Sequence, residues 1–474
     1  MTRRVDGSEP ARVLLDGDAM SADGTVAIDW FYPSRSGRLL AYGISESGSE
    51  ASVLHVMEVD TATVLPTRIP GTRFASVAWW TDDKGFDYTR YPLEGSRYWP
   101  SVEEGATNYH RHIYRHRLGS DPMNDARLYG EGIPKDDWPN VATPPNGAYL
   151  VVTKHRGWSD STVYVRGADA KLDAPWTVVA DRPGSRETPL VTDDALFLFT
   201  NHEAPRGRVL KLLWTELDIA KAVEIIPTDP TRVMEGVQVI SGHLVVHWLH
   251  QASSQLEVYD LAGRFIRSLP LPSLGSVGGM GGEPDTGDIF YGFSSFVTPP
   301  VVYHAPPSGP ADAASQIFEQ IKGATRADDF AVTLHGTTSG DGTALTLFVV
   351  HRRDLKPKGD APTVLYGYGG FNHALTPSYA RNIQPFLAAG GVYAVAHLRG
   401  GGEYGEAWHR AGMLEQKENV FDDFEAIADY LVEAGFTRPE RLAVMGGSNG
   451  GLLTGAATVR FPHKFRAAII RVPL

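Results

Sequence analysis

The chain has 474 residues, 42% hydrophobic and 21% charged, an ordinary globular composition with apolar residues enough for more than one core. Its 44 Lys and Arg against 56 Asp and Glu leave a formal charge of −12, which argues against a general nucleic-acid or anionic-membrane binder. Cys is absent, which excludes disulfides, thiol nucleophiles and Cys-ligated zinc, and no apolar run is long enough for a membrane-spanning helix.

Met1-Thr-Arg-Arg leads into a polar stretch with no apolar segment, so no secretory signal is visible and a cytoplasmic location is the expectation. Polar turns then precede short apolar strands again and again. They are Ser36-Gly37, Lys84-Gly85, Asn146-Gly147, Asp193-Asp194, Ser241-Gly242 and Thr286-Gly287. Taken at 37, 85, 147, 194, 242 and 287, the intervals are 48, 62, 47, 48 and 45 residues. A period of roughly 40–50 residues with several strands per repeat predicts a β-propeller, with room for an insertion in the long interval.

Near residue 325 the pattern changes to strands alternating with helices. Strands are predicted at 345–350, 363–366, 392–396, 442–445 and 467–470. Helices are predicted over 378–389, with Pro385 marking a kink or a second start, and over 449–459. Val420, Phe421, Phe424, Ile427, Ala428, Leu431 and Val432 keep helical spacing up to Gly435. This alternation predicts a mostly parallel sheet covered on both faces. The domains are read as 1–323, a propeller, and 324–474, a partial α/β-hydrolase domain.

Gly446-Gly447-Ser448-Asn449-Gly450-Gly451 fits G-x-S-x-G between a strand and a helix, the context in which a strained turn lifts a serine hydroxyl out of a sheet. The helix N-terminus behind it offers amide N–H groups to a developing oxyanion. A phosphate-binding turn would carry a P-loop lysine, which is missing. Ser448 is therefore the candidate nucleophile. Tyr366-Gly367-Tyr368-Gly369-Gly370-Phe371 follows an earlier strand, where this fold places its other oxyanion donor; a backbone N–H or the Tyr368 hydroxyl is available. Residues 399–409, RGGGEYGEAWH, read as a shaping loop. His110, His112 and His116 fall on one face of a strand, but no carboxylate stands at ligand spacing, and the interleaved arginines suggest a solvated strand rather than a metal site.

YGYGGF at 366–371, RGGGEYGEAWH at 399–409 and GGSNGGLL at 446–453 resemble, in order and spacing, the catalytic domain of the prolyl oligopeptidase family, serine peptidases with a propeller lid. Leu14-Leu15-Asp16, the run Ser21–Ala27 and Tyr42-Gly43-Ile44-Ser45 resemble its early propeller. The resemblance implies a seven-bladed propeller, its first blade incomplete here, and cleavage of short peptides after proline through an acyl-enzyme. It implies no metal and no organic cofactor. Carried over by motif, Ser448 is the nucleophile, the Tyr368 hydroxyl and the Asn449 N–H form the oxyanion hole, and Phe371 lines the proline pocket. Short proline-containing peptides are the implied partners, with no nucleic acid or membrane. Asn449 after the nucleophile favours this group over oligopeptidase B and acylaminoacyl peptidase, its related serine hydrolases.

One departure is large. In this fold Asp and then His follow the serine. Only 26 residues follow Ser448, with no Asp or Glu and the single His463, placed on the order of 15 Å away by the intervening helix. The triad Asp and His are thus absent from this chain, which reads as a fragment shortened at both ends and inactive alone. His397 with Asp422 or Asp423 is the only substitute in view. A different kind of function, a non-catalytic peptide-binding propeller with a hydrolase remnant, is the alternative.

Overall fold

The computed structural model describes residues 12–99, 108–158, 160–285, 287–310, 314–323 and 326–474. Met1–Arg4, Thr286 and the expected domain start at 324 lie outside them. By its internal contacts the chain divides into two units, Met1–His202 with Leu210–Val223, and Glu203–Val209 with Glu224–Leu474.

Six four-stranded antiparallel sheets, each paired in sequence order, occupy 26–69, 77–129, 138–181, 187–226, 232–269 and 276–320. Each polar turn identified in the sequence leads into the second strand of one sheet: Leu39–Glu46, Gly85–Arg90, Tyr149–Arg156, Ala195–Thr200, His243–His250 and Ile289–Ser294. The long interval spans the second and third strands of the second sheet, Gly85–Arg90 and His112–Arg117, which stand farther apart in sequence than neighbouring strands of the other sheets. Blade number is corrected: the described residues hold six such sheets, not seven, and the first has all four strands. The six turns already matched six sheets; the seventh blade came from the resemblance. Ahead of the first strand, Val26–Pro33, the described residues hold one helix, Gly17–Met20.

His112 and His116 are buried, at 3% and 0% exposure, which corrects the expectation of a solvated strand. The His116 ring sits 2.9 Å from an Asp125 carboxylate oxygen, and Tyr88 donates to the same carboxylate at 2.7 Å. Alternation on a strand buries one face whatever its residues, so these polar side chains are accommodated by pairing.

The second unit carries a six-stranded sheet. Its strands are β1 (Phe330–Thr338), β2 (Ala344–Arg352), β3 (Thr363–Tyr366), β4 (Val392–His397), β5 (Leu442–Gly447) and β6 (Ala467–Arg471), in the order β1-β2-β4-β3-β5-β6. The pairs β4/β3, β3/β5 and β5/β6 are parallel; β1/β2 and β2/β4 are antiparallel. The region predicted helical over 378–389 starts as a short 3-10 turn, Arg381–Ile383, and becomes helix α1 (Gln384–Ala388), with Pro385 in its first turn. Helix α2 spans Glu406–Arg410, α3 Glu418–Glu433 and α4 Asn449–Arg460.

Alternation along β4 sends Val392, Ala394 and Ala396 to one face, where they meet Phe424, Ile427 and Leu431 of α3 and Leu453 of α4. Tyr393 and Val395 face the other way, onto Phe296, Ile383 and Leu387. Burial on both faces fixes the register of β3 and β5, and with it the site at their carboxyl ends. Among the described residues no helix is long and apolar enough to cross a membrane.

Candidate active site

Strand β5 ends at Gly447 and α4 begins at Asn449, leaving Ser448 alone to turn the chain, at φ 55° and ψ −120°. A side chain rarely adopts this backbone conformation, and such strain persists only where surrounding structure enforces it. The Ser448 N–H donates to the Arg471 carbonyl of β6 at 3.0 Å, and its carbonyl accepts from Gly451 and Leu452 of α4. Close packing holds the turn. A Cβ on Gly446 would lie 2.1 Å from the Gly450 carbonyl oxygen, and one on Gly450 would lie 2.4 Å from that of Gly367. Both outer glycines of the motif are therefore required by sterics. Ser448 is half-buried, and among the described residues its hydroxyl has no hydrogen-bond partner.

The Asn449 N–H belongs to the first turn of α4, where no carbonyl within the helix can accept it. Its side chain is occupied elsewhere: Nδ2 donates to the Tyr368 carbonyl at 2.5 Å, and Oδ1 accepts from Lys417 Nζ at 3.1 Å. Lys417 Nζ also donates to the Gly369 carbonyl at 2.8 Å. Burial brings this ammonium down to a pKa of about 8. Asn449 and Lys417 thus pin the 368–369 backbone against the elbow. Tyr368 is half-buried and its ring meets His373 edge-on at 5.2 Å. Phe371 is 54% exposed, with φ 54°, in the same loop.

The 399–409 segment braces that loop from behind. Asn372 N–H donates to the Gly400 carbonyl at 3.1 Å, and Glu403 Oε1 accepts from Leu375 N–H at 2.9 Å. Glu403 is 2% exposed, and burial, the largest cause, pushes its pKa to about 7. Arg399 pairs with Asp423 through Nε and Nη2 and reaches Asp341 through Nη1. These contacts, Asp423 first, hold its guanidinium above its ordinary value.

The substitute triad is accounted for differently. Tyr366 of β3 is level with Val395 of β4 and Met445 of β5, so His397 sits two strands from Gly447, about 10 Å at ~4.8 Å per strand. Its Nδ1 lies 2.6 Å from Thr346 Oγ1, the ring is fully buried, and burial lowers its pKa to about 3. Asp423 is held by Arg399, and Asp422 pairs with Arg460 at 2.7 Å. His463 lies in the 3-10 turn after α4, at the far end of a helix about 18 Å long at ~1.5 Å per residue. The structure brings neither histidine to Ser448.

Sequence reasoning missed Lys417, Glu403 and the partner of Arg399. One signal was present: Asp423 falls on the apolar stripe of α3 with Val420, Phe424 and Ile427, and a buried acid there requires a cation.

The profile of the prolyl oligopeptidase N-terminal beta-propeller domain matches residues 1–314, and that of the prolyl oligopeptidase family matches 377–474. The chain belongs to the prolyl oligopeptidase family. It is 31% identical over 470 residues to the prolyl endopeptidase of Elizabethkingia meningoseptica, covering 98% of this chain and 64% of that protein. It is also 31% identical to prolyl oligopeptidase A of Galerina marginata, over 95% of this chain and 63% of the relative. A structure from an analysis of two prolyl endopeptidases superposes with a TM-score of 0.91 at 36% identity, over 98% of this chain and 68% of that one. Prolyl oligopeptidase B of Galerina marginata, bound to a 35mer hydrolysis and macrocyclization substrate, superposes at 0.87 with 26% identity, over 96% and 64%. The chain spans about 64% of the length of the curated prolyl endopeptidases it matches.

Proposed function

We propose that this chain carries the nucleophile, oxyanion hole and peptide lid of a serine peptidase that cleaves short peptides after proline. The observation that carries the reading is Ser448, strained at φ 55° on the turn from β5 to α4, its hydroxyl unengaged among the described residues. Ser448 Oγ attacks the prolyl carbonyl, and the tetrahedral oxyanion is met by the Asn449 N–H and the Tyr368 hydroxyl. Phe371, exposed in the adjoining loop, lines the proline pocket. Collapse of the intermediate expels the amine and leaves the acyl-enzyme on Ser448, which water then hydrolyses. The domain division at 323/324 belongs to the same proposal; it is supported by the last propeller strand ending at Gln320 and β1 starting at Phe330.

Amide cleavage needs a base for the Ser448 proton and an acid for the leaving amine, which a histidine held by a carboxylate supplies in such sites. Among the described residues no histidine hydrogen-bonds Ser448, so the 474-residue chain by itself is expected to turn over amides at close to background. The test is hydrolysis of a fluorogenic Gly-Pro amide by the purified chain and by its Ser448→Ala variant. Equal rates near background are expected. Robust turnover abolished by Ser448→Ala would overturn the expected inactivity and direct mutation to His397.

A further inference from the structure

Helix α3 opens with a charge of the wrong sign. Lys417 occupies its N-cap position, and its side chain makes no cap hydrogen bond to the helix. That position favours Ser, Thr, Asp or Asn, and the helix macrodipole disfavours a cation there. Lys417 is also half-buried, and among the described residues no carboxylate pairs with it. The neighbouring acids are engaged elsewhere or face solvent: Glu418 and Asp422 pair with Arg460, Asp423 pairs with Arg399, and Glu415 is exposed. A half-buried, unpaired cation at a helix N-terminus is costly, so stability does not account for the charge.

What the ammonium holds is the elbow. It donates to the Gly369 carbonyl and to Asn449 Oδ1, and Asn449 Nδ2 donates in turn to the Tyr368 carbonyl. One cation is thereby tied to both residues that carry the oxyanion donors. The glycines let the loop close on these partners: with φ 62° at Gly369, a Cβ there would lie 2.3 Å from Val420 of α3, and one on Gly370 would lie 2.5 Å from Asn449 Nδ2. An amide that accepts from a cation is polarised and donates more strongly at its N–H end. The N-terminus of α4 brings its own partial positive charge beside Ser448, and among the described residues no carboxylate joins this hydrogen-bonded set.

We propose that Lys417 is a positioning residue for acylation: its ammonium holds Tyr368 and Asn449 together and supplies positive charge to the oxyanion hole. The proposal rests on the reading of Ser448 as the nucleophile. Lys417 acts through Asn449 and the 368–369 backbone and does not itself touch the substrate. Burial brings its pKa down to about 8, so the charge is lost as pH rises through that value. The other titratable groups on the loop and its brace are Tyr368, His373, Glu403 and His409. They are the same in the parent and in a Lys417 variant, so their titrations cancel in a ratio of rates.

The test is acylation of Ser448 by an N-acylglycyl-proline p-nitrophenyl ester, followed by mass spectrometry of the acyl group between about pH 6.5 and 9.5, in the parent, Lys417→Met and Lys417→Arg. At the low end the parent should react at least ~10-fold faster than Lys417→Met, and that ratio should fall as pH passes about 8. Lys417→Arg keeps its charge throughout, so its rate relative to the parent should rise over the same range. Urea unfolding gives a readout free of activity. The folded protein holds the Lys417 proton less tightly than the ordinary value of 10.5, so the parent should gain stability relative to Lys417→Met as pH rises from about 8 towards 10.5. Equal rates, a parent-to-Met ratio unchanged by pH, or an unfolding difference independent of pH, each with the acyl group on Ser448, would overturn the role of the charge and leave the peptidase reading standing. Should Lys417→Met not fold, the comparison of Lys417→Arg with the parent decides both readouts, and a flat ratio overturns the proposal. Absence of acylation on Ser448 in the parent overturns it together with the peptidase reading.

Discussion

Replacing Ser448 by glycine should make the protein more stable, although it removes the residue on which the chemistry depends. At φ 55° and ψ −120° a side chain costs ~1–3 kcal/mol. Glycine relieves that strain but loses ~0.5–1 kcal/mol through its freer unfolded chain. The Ser448 hydroxyl has no hydrogen bond to forfeit among the described residues, so the net gain is about 1 kcal/mol. Ser448→Ala keeps the Cβ and the strain, and should lie within ~0.5 kcal/mol of the parent, as for a change that touches no other contact. Thermal and urea unfolding of the three proteins, followed by tryptophan fluorescence, provides the comparison. The expected order is Gly above Ala and Ser, with Ala and Ser together. A glycine variant less stable than the alanine variant would refute the claim that the elbow stores strain.

Other perturbations separate the parts of the site. Glu403, raised from 4.5 to about 7 by burial, costs nothing while both states are protonated, and its penalty grows as pH rises from about 4.5 to about 7. Glu403→Gln should therefore match the parent in stability near pH 4.5 and exceed it at pH 8, by at most about 3 kcal/mol, in denaturant titrations at the two pH values. Asp423→Leu leaves the buried Arg399 guanidinium only its Asp341 partner and should cost at most ~3–5 kcal/mol, whereas Arg399→Met/Asp423→Leu recovers a large part, as unfolding midpoints will show. Strand β6 is exposed along its length, with Ile469 and Ile470 each more than 40% accessible at the sheet edge. The chain is therefore expected to self-associate with rising concentration, and Ile470→Lys to reduce this in sedimentation velocity.

The two halves of the fold were legible for different reasons. Turn residues such as Gly37 and Asn146-Gly147 mark hairpins locally, so six of them located six sheets. Blade number was misjudged only where it rested on likeness. Strands β2 to β5 were readable because burial makes them near-continuously apolar, and β6 because its short run Ala467–Ile470 is wholly apolar although exposed, whereas β1 was missed: Phe330–Thr338 has only Phe330 buried and intersperses Thr, His and Gly. The elbow was legible because sterics at Gly446 and Gly450 admit no other residue. Lys417 and Glu403 were not, because each acts on backbone carbonyls or amides far away in sequence, Gly369 and Leu375, and such partners leave no periodic trace.

Acylation of Ser448 by a prolyl active ester tests the central claim most directly, since an activated leaving group needs no general acid and an oxyanion hole alone retains roughly 10³-fold catalysis over water. The chain is incubated with an N-acylglycyl-proline p-nitrophenyl ester, and the burst of p-nitrophenolate is matched to the modified residue by mass spectrometry. The account predicts a single acyl group on Ser448, none in Ser448→Ala, acylation slowed at least ~10-fold by Tyr368→Phe, and slower reaction of the glycyl-alanine ester. Acylation elsewhere in the chain, or a Tyr368→Phe variant that reacts as fast as the parent, would contradict it.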